Sequence, residues 1–157
     1  MHREDQFIPH LIVSDGVAAL EFYKDTFNAE LGDNMMAPDG KRLMHGELVL
    51  DGHKFFISDE FSAEEGGNAR TPQTLGGTSV RITLQTDDAD GVIERAVARG
   101  ARVLMPVADM FWGDRCGQVA DPFGHKWFLA THKEDLSQEE IQKQGLAFFV
   151  KMAKKSA

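Results

Sequence analysis

The sequence predicts an α+β domain: two βαβββ modules forming a curved mixed sheet around a cleft, followed by a C-terminal helix. Three observations carry this reading. A strand-like apolar segment followed by an aspartate-capped amphipathic helix occurs twice, first from Phe7 and again from Thr78. Each time, three further strand-like segments follow, divided by Gly, Pro and Asp turn signals. Beyond the second set, Ser137-Gln138-Glu139-Glu140 has the form of a capping box that opens one more helix.

In the first module, Phe7 to Val13 is apolar and partly β-branched, which suits a strand. Ser14 and Asp15 can cap the helix expected over 16–27, where Val17, Leu20, Tyr23 and Phe27 fall on one stripe. Strands are expected over 30–36, 42–50 and 54–58, separated by the turns Pro38-Asp39-Gly40 and Asp51-Gly52. Module one thus covers 7–59, and the stretch 60–77, rich in Gly, Ser, Glu and Thr, reads as a loop between modules.

Module two covers 78–132. From Thr78 to Thr86, Val80, Ile82 and Leu84 alternate with polar residues, the pattern of a half-buried strand. Asp87 or Asp88 caps a helix through Arg99 with Val92, Ala96 and Val97 inward, and Gly100 ends it. Strands are expected over 102–105, 115–120 and 125–131, the last two joined by Asp121-Pro122-Phe123-Gly124. Asp15 and Asp87 are then equivalent caps in a repeat that rests on element order, because the two copies share little residue identity. The tail, 133–157, should hold a helix over about 138–154, weakly interrupted at Gly145. Its apolar Ile141, Leu146, Phe149, Val150 and Met152 would pack on the domain or on a second subunit. The 157 residues together make one domain.

Composition narrows the function. Hydrophobic residues at 42% and charged residues at 27% are enough for a globular core. No apolar run approaches the roughly 20 residues that span a bilayer, and the charged Met1-His2-Arg3-Glu4-Asp5 lacks the apolar stretch of a signal peptide. Cys116 is alone, so an intrachain disulfide and a cysteine-rich zinc site are both excluded, and a cytoplasmic location is expected. A formal net charge of −8 argues against nucleic acid as a partner; the cluster Lys151, Lys154 and Lys155 suits the negative end of a helix dipole.

The ordered set of motifs resembles a known family. Glu21-Phe22-Tyr23-Lys24 with Phe27, and Asp121-Pro122-Phe123-Gly124-His125, are similar to the vicinal oxygen chelate superfamily, which includes glyoxalase I, extradiol dioxygenases and bleomycin-resistance proteins. Asp109-Met110-Phe111-Trp112-Gly113-Asp114-Arg115 and Ala130-Thr131-His132-Lys133-Glu134-Asp135 look like a branch described as demethylubiquinone-methyltransferase-like. The resemblance covers about 7–135. It implies a cleft and a homodimer, in which a second subunit often completes the site. It also implies four metal-ligand positions, which fall at Ile8, near Ile57, at Arg81 and at Phe128. None is a metal ligand, a slip of one residue would reach Ser58 without creating a ligand set, and Arg81 would repel a cation, so no metal centre and no cofactor are expected. A methyltransferase is rejected, because no glycine-rich loop follows a first strand to hold a nucleotide-like cofactor.

Several residues are candidates for the site. His10 shares a strand face with Ile8 and Ile12, which by the resemblance looks into the cleft; it is a proton-transfer group or a core histidine. His45 and Glu47 share one face and form either a base with its partner or an ordinary exposed pair. Arg81, if it faces the cleft, suits a carboxylate or phosphate; otherwise it is a solvent-side arginine. Phe111 and Trp112 on a loop close over a ligand or pack in a dimer interface, with Asp114 and Arg115 positioning that loop. Phe128 would line the cleft floor with Trp127 buried behind it. His2, His53, His125 and His132 read as surface residues, and Cys116 lacks an activating base. Gly66-Gly67 and Gly76-Gly77 have no phosphate-loop context. Two functions follow: a binding protein that holds a small, partly aromatic or anionic compound without metal, or a glyoxalase-type lyase or isomerase with His10 or Glu47 as base.

Overall fold

A computed structural model describes residues 7–156; His2 and the rest of the charged 1–5 segment lie outside them. The helices begin where short polar side chains meet free backbone amides. Asp15 accepts from the Ala18 amide at 3.0 Å and starts α1 (Gly16–Phe27), which stops at Asn28 in the left-handed region, φ 58°. Asp88 accepts from Gly91 at 2.9 Å and starts α3 (Ala89–Ala98), so the repeat pairs Asp15 with Asp88 and not with Asp87. The linker is more ordered than a loop. A capping box at Ser62 and Glu65 closes a 3₁₀ turn over Ala63–Glu65, and Thr71 caps the short α2 (Pro72–Leu75). Residues so polar carry no apolar period, which is why the pattern alone reads as a loop.

Eight strands flank these helices. They are β1 (His10–Val13), β2 (Glu30–Met36), β3 (Leu43–Leu50), β4 (His53–Asp59), β5 (Arg81–Gln85), β6 (Arg102–Asp109), β7 (Asp114–Ala120) and β8 (Lys126–His132). The expected modules each contribute one four-stranded mixed sheet, ordered β1-β4-β3-β2 and β5-β8-β7-β6. In each, the first strand runs parallel to the last and the others pair antiparallel. The edge strands β1 and β5 border one seam without a ladder between them. Both are shorter than the apolar pattern suggests. Pro9 has no amide hydrogen, so pairing starts at His10, and Val80 is left exposed ahead of β5.

Each module anchors its helix from the end of its last strand. Asp59 accepts from the amides of Gly16, at 3.0 Å, and Leu43, at 2.7 Å; Thr131 accepts from Ala89 at 2.9 Å. Gly16 admits no side chain, since a Cβ there would lie 2.4 Å from that of Leu43. Leu20, Tyr23 and Phe27 bury as expected, but Val17 and Val97 stay exposed at the rims of α1 and α3.

The modules join through aromatic rings and one carboxylate. Phe27 packs on Trp127 with centroids 4.6 Å apart, and Tyr23 touches Phe55, Phe123 and Trp127. Asp121, 5% exposed, accepts from the Tyr23 hydroxyl at 2.5 Å and the Trp127 indole at 2.9 Å. Its other oxygen accepts from the amides of Phe123 and His125, which fixes the turn. Burial and the Asp121 charge push the Tyr23 phenol well above its ordinary pKa, so it remains a donor. The last helix, α4 (Gln138–Lys155), starts at the Ser137 capping box. It rests on the domain through Gly145 and Phe148 against Phe111, leaving Leu146, Phe149 and Val150 exposed.

Asp121→Ala strands two buried side-chain donors and frees the turn amides. It should lower unfolding free energy by about 3–5 kcal/mol, and Tyr23→Phe by about 2 kcal/mol. Denaturant titration of the two variants checks both the magnitudes and their order.

Candidate functional site

Strand alternation separates two faces in each sheet. In sheet one, Leu11, Val13, Phe55 and Ile57 are buried in the core with α1. His10, Ile12, Phe56 and Ser58 take the other face, where the His10 ring lies 3.1 Å from the Ser58 hydroxyl. The position expected near Ile57 is therefore one residue out of register: Ile57 is core, and Ser58 is its neighbour on the cleft side. His45 joins this face, its ring centroid 4.7 Å from Phe56 and 6.3 Å from His10. Glu47 lies directly across from Phe56 and is held by Lys54 at 3.0 Å.

In sheet two, Trp127 and Leu129 are core, and Phe128 takes the outer face. Arg81 lies over the Phe128 ring at 4.5 Å, a cation–π contact that aims the guanidinium along that face. Lys126 is the register partner of Arg81. Among the described residues neither cation has a carboxylate partner.

The two faces meet at the seam. A hollow of about 460 Å³ there is lined by His10 and Ile12 from one module and by Arg81, Lys126 and His125 from the other. A smaller one, about 250 Å³, adjoins His10 and Ser58 beneath Phe61. His125 is not a surface residue: it is half-buried, and its Nε2 contacts the Ile12 carbonyl at 2.8 Å across the seam. Lys126, Phe56 and Ser58 were not among the expected site residues. Alternation from Phe128 would have reached Lys126; Ser58 was within a one-residue slip of Ile57, and the register of β1 on β4 decides for it and for Phe56, two residues before it.

The structure brings His10, His45 and Glu47 to one face and Arg81 and Phe128 to the other. It seats Phe111 and Trp112 elsewhere. Phe111 packs on Phe148 of α4, and the Trp112 indole donates to Asp114 at 3.1 Å. Arg115 pairs with Asp90 at 2.7 Å and Asp109 at 3.1 Å, which ties this end of β7 to α3. His132 sits between Asp114 and Asp135, whose hydrogen bonds raise its pKa. Cys116 is fully buried, and burial pushes its thiol up, away from nucleophilic use.

Comparison with known proteins agrees with the two-module fold. The family model described as Glyoxalase/Bleomycin resistance protein/Dioxygenase superfamily matches residues 5–129. The uncharacterized protein Mb0911c of Mycobacterium bovis is 42% identical over 140 residues, covering 88% of this chain and 91% of that protein. Among solved structures, the Arabidopsis thaliana At5g48480 product superposes with a TM-score of 0.64 at 27% identity, over 82% of this chain and 99% of that one. TioX from Micromonospora sp. ML1 shares the fold, with a TM-score of 0.64 at 23% identity, over 82% of this chain and 98% of its own.

Burial first, and then the neighbouring His45, depress the pKa of His10. His10 should therefore titrate below an ordinary imidazole and be neutral at pH 7, whereas His132 should titrate above one. His45→Ala should move the His10 midpoint upward. Imidazole-resolved NMR titration of wild type and variant measures all three.

Proposed function

The chain belongs to the glyoxalase/bleomycin resistance/dioxygenase superfamily, and from that premise we propose that it binds a small anionic compound in the seam hollow without a divalent metal. The observation that carries this is the Arg81 guanidinium, seated on Phe128 beside Lys126 and lining the hollow with no carboxylate partner among the described residues. Such a pair suits a carboxylate or phosphonate, which a guanidinium holds through two parallel hydrogen bonds. His10, neutral and hydrogen-bonded to Ser58, offers a polar contact from the opposite wall.

The metal enzymes of the superfamily imply a divalent ion, and the donors here do not fit one. No three of His, Cys, Asp and Glu converge among the described residues. His10 and His45 meet edge to face at 6.3 Å, Lys54 occupies Glu47, and the facing wall is cationic. The second reading, a lyase or isomerase abstracting a proton next to a carbonyl, draws on the depressed pKa of His10, which leaves its base form available at pH 7. Glu47 is a weaker base candidate because Lys54 holds its carboxylate.

The same reading includes a homodimer in the cytoplasm. All of β2 is exposed, including Leu31, Met35 and Met36, and so are Leu146, Phe149 and Val150 of α4; together they supply apolar surface for a second copy. The formal charge of −8 disfavours nucleic acid. No helix of the described residues is long and apolar enough to cross a membrane.

Benzoate, phenylphosphonate and phenyl phosphate form a suitable probe panel. At tenfold excess over its Kd, a bound member should raise Tm by about 3–5 °C, and Arg81→Leu should remove that rise. If no member stabilises the wild type, the anion-binding reading is wrong. Turnover of methylglyoxal with glutathione, lost in His10→Ala, would favour the enzyme instead. Sedimentation equilibrium should give a dimer mass, and a monomer mass at all concentrations would refute the homodimer.

A further inference from the structure

A second hollow, about 500 Å³, opens along the same seam over Phe55 and Trp127, with Ile82 and Leu84 at its side. It follows from the shortness of β1. Pairing of β1 with β4 begins at His10 and Phe56, so on that side the start of β4 is flanked, among the described residues, by the coil 7–9 and by no strand. Phe7, Pro9 and Ile82 line both this hollow and the cationic one, so the two hollows adjoin in a groove along the seam. The ends differ in chemistry. Arg81, Lys126 and His125 mark one, and the aromatic and aliphatic side chains of Phe55, Trp127, Ile82 and Leu84 floor the other. The polar groups at the apolar end, Asp51, His53, Lys54, Thr83 and Gln85, border its rim. Asp51 lines the apolar hollow and not the cationic one.

We propose that the groove takes an amphipathic monocarboxylate, with its head on Arg81 and Lys126 and its apolar tail over Phe55 and Trp127. The proposal rests on the anion-binding reading of the cationic hollow and adds the tail and its seat. A small oxyanion would use one end only and leave the apolar half filled by water. A neutral apolar compound would leave both cations unpaired. Only a ligand with a charged head and an apolar tail satisfies both ends at once. Phe7, 90% exposed at the junction, gains a packing partner when such a tail enters.

Calorimetric titration of the wild type with butanoate, hexanoate and octanoate at fixed ionic strength tests this without relying on any variant. Affinity should rise by about fourfold per methylene that enters the groove. Octanol should bind more weakly than octanoate. Arg81→Leu should weaken all three acids by the same factor, about tenfold or more. In a Trp112→Phe background, 8-bromooctanoate should quench Trp127 more strongly than 2-bromooctanoate does. Affinity independent of chain length, with the Arg81 effect intact, overturns the tail seat and leaves the anion site standing. Chain-length dependence with no Arg81 effect overturns the head assignment, and with it the proposal. If none of the acids binds while phenylphosphonate or phenyl phosphate does, the monocarboxylate proposal falls and the anion site stands; if those fail too, both readings fall.

Discussion

The Asp121 carboxylate holds the two modules together. Its four acceptor contacts reach a helix of module one through Tyr23, the core of module two through Trp127, and both amides of its own turn. A buried carboxylate with unfilled lone pairs would destabilise the fold; with all four donors in place it locks a specific docking angle. That angle brings His125 within reach of the Ile12 carbonyl. The seam and its hollows therefore depend on a residue that lines neither of the hollows proposed to hold a ligand.

The two-module order, the helix caps and the turn at 121–124 were legible because each is local. A capping aspartate, a 3.6-residue apolar stripe and a Pro-Phe-Gly turn act within a few residues, and the structure repeats them closely. Misreadings occur where tertiary pairing decides. Asp87 and Asp88 are equivalent as caps on paper, and the anchoring of Ala89 by Thr131, 42 residues on, favours Asp88.

The site was legible face by face and not as a whole. Alternation along a single strand placed His10 with Ile12, and the ligand positions implied by the family resemblance singled out Arg81 and Phe128, which the structure brings together. The one-residue error at Ile57 has a physical cause: with a period of two, any slip of register exchanges core for cleft, and only the pairing of β1 with β4 sets that register. Phe111 and Trp112 show the opposite limit. A loop of exposed aromatics suggests a ligand lid, yet Gly145 leaves room on α4 for Phe111 to dock, an arrangement visible only once the tail is folded back.

Charge distribution sets how such a seam could work. With a net charge of −8, the chain as a whole repels anions, and at physiological salt that field fades over about 8 Å. Arg81 and Lys126 thus act at contact distance and do not steer ligands from afar. Phe128 beneath the guanidinium keeps water from one side of it, which strengthens a hydrogen-bonded ion pair on the other. For the proposed ligand, selectivity would then lie in the fit to the groove: a single negative charge at one end, with enough apolar surface behind it to outweigh the long-range repulsion.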